Sequence, residues 1–173
     1  MKLKEILLSY DTFVSLTITL IVCYFLPTHV MASFCNSVYY IGITVLAIVF
    51  SLFFASMAII MSTPDNKFIK FLEEDNLYTD LMKTFKFTLL MLFIGLGYSI
   101  FMYAYSSYLT THINIKETQN KIWFLLFVLI FTYSLMATAL SISDSIMFSK
   151  YRIDFLKQEE EEEKQKKLSR KPT

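Results

Sequence analysis

The sequence predicts an all-α integral membrane protein: a four-helix transmembrane bundle with a cytoplasmic helical hairpin and a helical C-terminal extension. Three observations predict it. Of 173 residues, 55% are hydrophobic and 17% aromatic, too apolar for a soluble domain of this length, whose surface must be largely polar. Four apolar stretches, at about residues 12–30, 38–62, 87–109 and 122–144, hold no Lys, Arg, Asp or Glu before Asp144. Each is long enough to cross a hydrocarbon core roughly 30 Å thick as a helix. Third, the cations are very unevenly placed. Two Lys precede the first stretch (Lys2, Lys4), four lie between the second and third (Lys67, Lys70, Lys83, Lys86) and eight follow the fourth, against only Lys116 and Lys121 in the remaining connections. By the positive-inside rule this puts both termini and the central connection in the cytoplasm of a cell whose inner membrane the chain crosses four times. Residues 1–149 then form the transmembrane domain and 150–173 a charged cytoplasmic tail.

The first span begins near Asp11, a carboxylate suited to capping a helix N-terminus at the cytoplasmic interface. Asp11, Ser15, Thr19 and Cys23 recur every fourth residue and so share one stripe. Val30-Met31-Ala32 loosely fits a signal-peptide cleavage site, but Glu5 and Asp11 before the apolar run, and Thr17 and Thr19 within it, favour a retained span that Pro27 ends or kinks near the outer surface. Cys35, His29 and His112 fall in outer loops without a Cys-x-x-Cys or His-x-x-x-His spacing, so neither a metal nor another cofactor is expected, and the two cysteines should stay unlinked.

The second span opens on Tyr39 and Tyr40 at headgroup level and carries small residues at Ala47, Ser51 and Ala55, an interval that lets another helix approach closely. Residues 63–86 form the cytoplasmic helical connection. Ser62-Thr63-Pro64-Asp65 is a helix-start signal, and Phe68, Phe71 and Leu72 follow at amphipathic spacing, predicting a short surface helix that ends near Asp75-Asn76. From Leu77 a second periodicity, including Tyr78, runs without a breaker into the third span. That span holds Gly95, Gly97 and Ser99 among bulky residues, a site for close packing or a local hinge.

The fourth span has a hydroxyl stripe, Ser134, Thr138 and Ser141, that runs to Asp144 at the inner boundary. The helix continues past Asp144 with Phe155 on an apolar side. A block of Glu159 to Glu163 ahead of five basic residues then reads as a frayed, solvated end. Phe68, Phe71, Leu72, Tyr78 and Phe155 are the candidate contacts for a cytoplasmic protein partner. Ser15, Thr19, Ala47, Ser51, Ala55, Gly95, Ser99, Ser134, Thr138, Ser141 and Asp144 are candidates for helix packing or, after several copies assemble, for lining a pore.

No nucleophile with its base, no glycine loop for phosphate and no paired histidines occur, so the chain is not expected to be an enzyme. Membrane lipid, further copies of the chain and a cytoplasmic protein are the expected partners; nucleic acid is not. Four spans, a charged inner hairpin (Lys67 to Lys86) and a charged tail (Lys157 to Lys171) resemble the small membrane components of bacterial anti-phage systems, such as the membrane subunit of Kiwa-type defence. The resemblance implies an oligomeric effector that perturbs the membrane when triggered from the cytoplasm. Two other expectations are an inner-membrane immunity protein against a pore-forming bacteriocin, which acts by helix contacts alone, and a holin-like protein, against which the glutamate block counts.

Overall fold

Long breaker-free apolar runs become long helices, and Pro27 follows the end of the first described one. The computed structural model describes residues 10–61, 66–74, 76–111 and 118–169. The order is α1 (Tyr10–Phe25), β1 (His29–Met31), α2 (Ala32–Met61), α3 (Asn66–Glu74), α4 (Leu77–Thr111), β2 (Thr118–Asn120) and α5 (Lys121–Ser169). Three helices, α2, α4 and α5, are long and apolar enough to cross a membrane. The fourth apolar helix, α1, has 16 residues, short of the roughly 20 that a span requires. The helix-start signal at residues 62–65, Asp75, His112, Lys116 and both chain ends lie outside the described residues.

Helix α1 packs on α5, α5 on α4, and α4 on α2, with α2 also touching α5. Two short strands close one end. They pair antiparallel, with Val30 opposite Gln119, and this ribbon was not expected from the sequence. Gln119 is buried and donates through Nε2 to the Tyr39 hydroxyl, while Ser106 of α4 donates to the Ala32 carbonyl at 2.7 Å. Lys121 ties the ribbon to α1: its Nζ donates to the Cys23 and Leu26 carbonyls at 3.1 and 3.3 Å, where the last carbonyls of a helix need a cation or donor. The ribbon end is thus pinned by hydrogen bonds, not only by apolar contact.

The core has two parts. Near the ribbon, Tyr39 meets Phe127 edge to face at 4.8 Å, with Cys35, Met102 and Phe124 around them. Toward the other end, Phe53 meets Phe85 edge to face at 5.6 Å beside Leu46, Leu81 and Leu92. Large apolar side chains such as Leu52, Phe93, Phe101 and Ile142 are more than half exposed around the outside, the surface that a bilayer would cover.

Several expectations change. Cys35 is not in a loop: α2 starts at Ala32, and Cys35 is a buried helical residue with a free thiol. Of the two glycines expected to allow close packing in α4, only Gly95 does so. A Cβ there would lie 3.0 Å from Ser134 Oγ, whereas one at Gly97 would meet nothing within 4 Å, and α4 runs through both without a break. The closest approach is at Gly42, where a Cβ would sit 2.6 Å from Phe127 Cζ. The glutamate block and the residues after it are helical as far as Ser169, because no Gly or Pro interrupts the chain from Tyr98 to Lys171 and Glu, Lys and Gln are good helix formers.

Candidate functional site

Two groups of residues stand out, a buried polar seam between α1, α4 and α5, and an aromatic latch at the end opposite the ribbon. The seam comes from hydroxyl residues at helical spacing. Ser15, Ser99, Ser134, Thr138 and Ser141 are all buried, as is Gly95. Most donate to a carbonyl one turn back in their own helix: Ser15 to Asp11, Thr19 to Ser15 (2.7 Å), Ser99 to Gly95 (2.6 Å) and Thr138 to Ser134 (2.8 Å). Two bonds cross between helices. Ser134 reaches the Met91 carbonyl at 3.2 Å, and Ser141 and Thr88 share a hydroxyl hydrogen bond of 2.7 Å. Thr88 carried no sequence signal of its own, because a single threonine in a Phe- and Leu-rich span looks like any other. With these hydroxyl donors engaged inside one copy of the chain, the seam packs helices together.

One polar atom in the seam has no partner. Asp11 is 8% exposed, and its Oδ1 accepts no hydrogen bond among the described residues. The bonds of Lys121 set α1 antiparallel to α5, so Asp11, twelve residues before Cys23, lies roughly 18 Å from the ribbon end.

The other small-residue stripe faces outward. Ser51 and Ala55 are exposed and Ala47 half-buried, with Ser51 Oγ satisfied by the Ala47 carbonyl at 2.9 Å. Among the described residues, this face of α2 is largely uncovered. Between α2 and α5, below the second core, runs a groove of 370 Å³ lined by Val49, Phe53, Phe85, Thr138, Ile146 and Ser149 among others.

The latch is built by α3. Its amphipathic face turns Phe68 and Leu72 inward, where they are 3% and 1% exposed. Phe68 packs against Phe148 at 5.3 Å and Phe155 at 5.5 Å, Phe71 packs against Phe155 at 5.4 Å, and Lys67 pairs with Glu159. These contacts bind α3 to the projecting part of α5 within one chain, so Phe68, Leu72 and Phe155, candidates for a partner contact, also pack inside the chain. Phe71 remains 43% exposed and Tyr78 half-buried. The turn into α4 is fixed as well. Asn76 takes φ 56°, a left-handed conformation that asparagine tolerates better than most residues, and the Glu73 carboxylate accepts from the Thr79 hydroxyl at 2.6 Å and its N–H at 3.3 Å. Beneath the latch, Asp144 is half-buried and lines a smaller cavity of 160 Å³ with Leu72, Asp80, Thr84 and Tyr151. Asp80 pairs with Lys83 at 2.9 Å.

Among the described residues, no three His, Cys, Asp or Glu side chains gather where they would hold a metal ion. Compared with protein-family models, with curated proteins and with solved structures, the chain matches none.

Proposed function

We propose that this protein is a non-enzymatic membrane effector of an anti-phage system of the abortive-infection type, held closed until a cytoplasmic partner releases its latch. In this reading α1 joins α2, α4 and α5 as a fourth span of the inner membrane, with both termini and the latch in the cytoplasm. The observation that carries it is the latch itself. Helix α5 passes unbroken from the apolar bundle into the charged end, and α3 grips it there through Phe68, Phe148 and Phe155. A partner that displaces α3 would therefore act directly on a helix that lies against α1, α2 and α4. The outward stripe of Ala47, Ser51 and Ala55 supports assembly of several copies, since small residues let membrane helices meet closely.

A second reading has its own support. The hydroxyl donors of the seam are satisfied within one chain, as expected of a protein that works by helix contacts in the bilayer without conducting, such as an immunity protein against a pore-forming bacteriocin. Expression of wild type and Phe68→Ala in cells carrying a potential-sensitive dye separates the two. The effector reading expects Phe68→Ala to depolarise cells where wild type does not. Full membrane potential in both, together with survival of an added bacteriocin, would reject it for the alternative. Reporter fusions after Glu74 and at Thr173 check the orientation, and activity of either on the outer face would reverse it.

A further inference from the structure

We infer that the projecting part of α5 carries a docking face for an acidic amphipathic helix of a cytoplasmic protein, centred on Ile153 and separate from the face that α3 covers. Ile142, Ile146, Ser149, Ile153 and Leu156 recur at steps of four, three, four and three residues, the spacing of a seam that receives another helix. Its four apolar members are 52%, 56%, 53% and 43% exposed, so the seam is largely uncovered among the described residues. Phe148 and Phe155, which hold α3, lie about a third of a turn farther round the helix.

Lipid does not reach the outer half of the seam. The uncharged run of α5 from Ile122 to Ser143 is about as long as a hydrocarbon core is thick, and Asp144 is the first charge after it. Helix α5 continues unbroken, which puts Ile153 and Leu156 roughly 14 and 18 Å past Asp144. Large apolar side chains standing that far into water are a surface for protein.

The flanking charges select the occupant. Lys150 and Lys157 border the seam on one side and Arg152 on the other, and Asp154, the one acid between residues 145 and 158, lies farther round than any of the three. The ion pairs among the described residues, Lys67 with Glu159 and Lys83 with Asp80, involve none of these cations. A second copy of the chain fits poorly. Copies that cross the membrane in one direction would pair their seams in parallel, setting Arg152 against the second copy's Lys157 and Glu160, at the next seam position, against its own counterpart. The one favourable pair would join Glu159 to Lys164, and Glu159 already holds Lys67. A helix whose apolar stripe is edged by Asp or Glu instead meets the isoleucines with apolar side chains and the three cations with carboxylates. The face rests on the reading that this end of α5 stands in the cytoplasm and answers to a protein there.

Fluorescence anisotropy of two labelled synthetic peptides, added to the full chain in detergent micelles, tests it. Both peptides repeat Ile and Leu at seam spacing; one carries Glu at every flanking position, the other Lys. Wild type should bind the Glu peptide roughly tenfold more tightly than the Lys peptide. Ile153→Ser should weaken the Glu peptide roughly tenfold, the effect of losing one buried isoleucine. Arg152→Gln combined with Lys157→Gln should remove most of the preference for Glu over Lys, and Phe68→Ala should not weaken binding, since α3 sits on another face. Equal binding of the two peptides, Glu-peptide binding unchanged in Ile153→Ser, or binding lost in Phe68→Ala would overturn the face. So would chain dimers that Ile153→Ser dissolves, because the occupant would then be a second copy. Binding in micelles is read without a membrane potential, so a negative result leaves the effector reading to the dye experiment, and depolarisation failing there leaves a peptide-binding face intact.

Discussion

Replacing Phe68 by alanine should undock α3 while leaving the apolar bundle intact. Phe68 is 3% exposed and holds two ring contacts, at 5.3 Å to Phe148 and 5.5 Å to Phe155. Truncating a packed phenylalanine costs about 3–5 kcal/mol, of which each ring pair supplies about 0.5–1.5 kcal/mol beyond buried area. Helix α3 has nine residues, fewer than the ~12–15 below which an isolated helix is marginal in water, so its order rests on this packing. A loss of that size raises the undocked population roughly 150- to 5,000-fold. Hydrogen exchange of the full chain in micelles measures it. The amides of Ile69 to Leu72 should lose their protection in Phe68→Ala, while those of α2 and the membrane part of α4 keep theirs. Lys67→Ala should change the same amides little, since its pair with Glu159 joins side chains 75% and 32% exposed and such pairs contribute at most about 1 kcal/mol. Full protection of α3 in Phe68→Ala, or a larger effect from Lys67→Ala, would refute the latch as an aromatic device.

Two further substitutions test the packing inside the bundle. Gly42→Ala should lower the thermal midpoint in detergent, with a cost of about 1–3 kcal/mol, because Phe127 is already held against Tyr39 and cannot yield to a Cβ at 2.6 Å. Gly97→Ala, with open space around it, should be neutral or stabilise α4 by up to about 1 kcal/mol; the opposite order of midpoints would contradict the helix arrangement. Asp11→Leu should raise the midpoint, by about 1–3 kcal/mol, because it removes a buried acceptor that has no donor. A lower midpoint would mean that Asp11 Oδ1 has a partner essential to the fold.

The helices were legible because apolar runs in a membrane protein must form hydrogen bonds within themselves, and Pro27 and Asn76 mark real turns. Their ends were less so. An apolar run stops at the first polar residue, but a helix does not, and α2 therefore reaches back through Ser37 and Asn36 to Ala32. The ribbon could not be read at all, since strands of three residues have no room for an alternating pattern and form only where Lys121 and Gln119 bring two connections together. Periodicity grouped Ser134, Thr138 and Ser141 on one buried face, yet it assigned no direction to the stripe of Ala47, Ser51 and Ala55, which is largely uncovered among the described residues. The latch residues were picked out by their amphipathic spacing, but a sequence alone does not distinguish a face that waits for a partner from one already covered by its own chain.

The 49 residues of α5 form a rod roughly 70 Å long, of which somewhat more than half extends past the ribbon-side 30 Å that a bilayer would hold. A rod of those proportions is a lever with its longer arm outside. A sideways displacement of several ångström at Ser169 becomes a smaller but more forceful tilt among α1, α2 and α4, and Lys121, fastened to α1 by its two carbonyl bonds, is the pivot about which that tilt would turn.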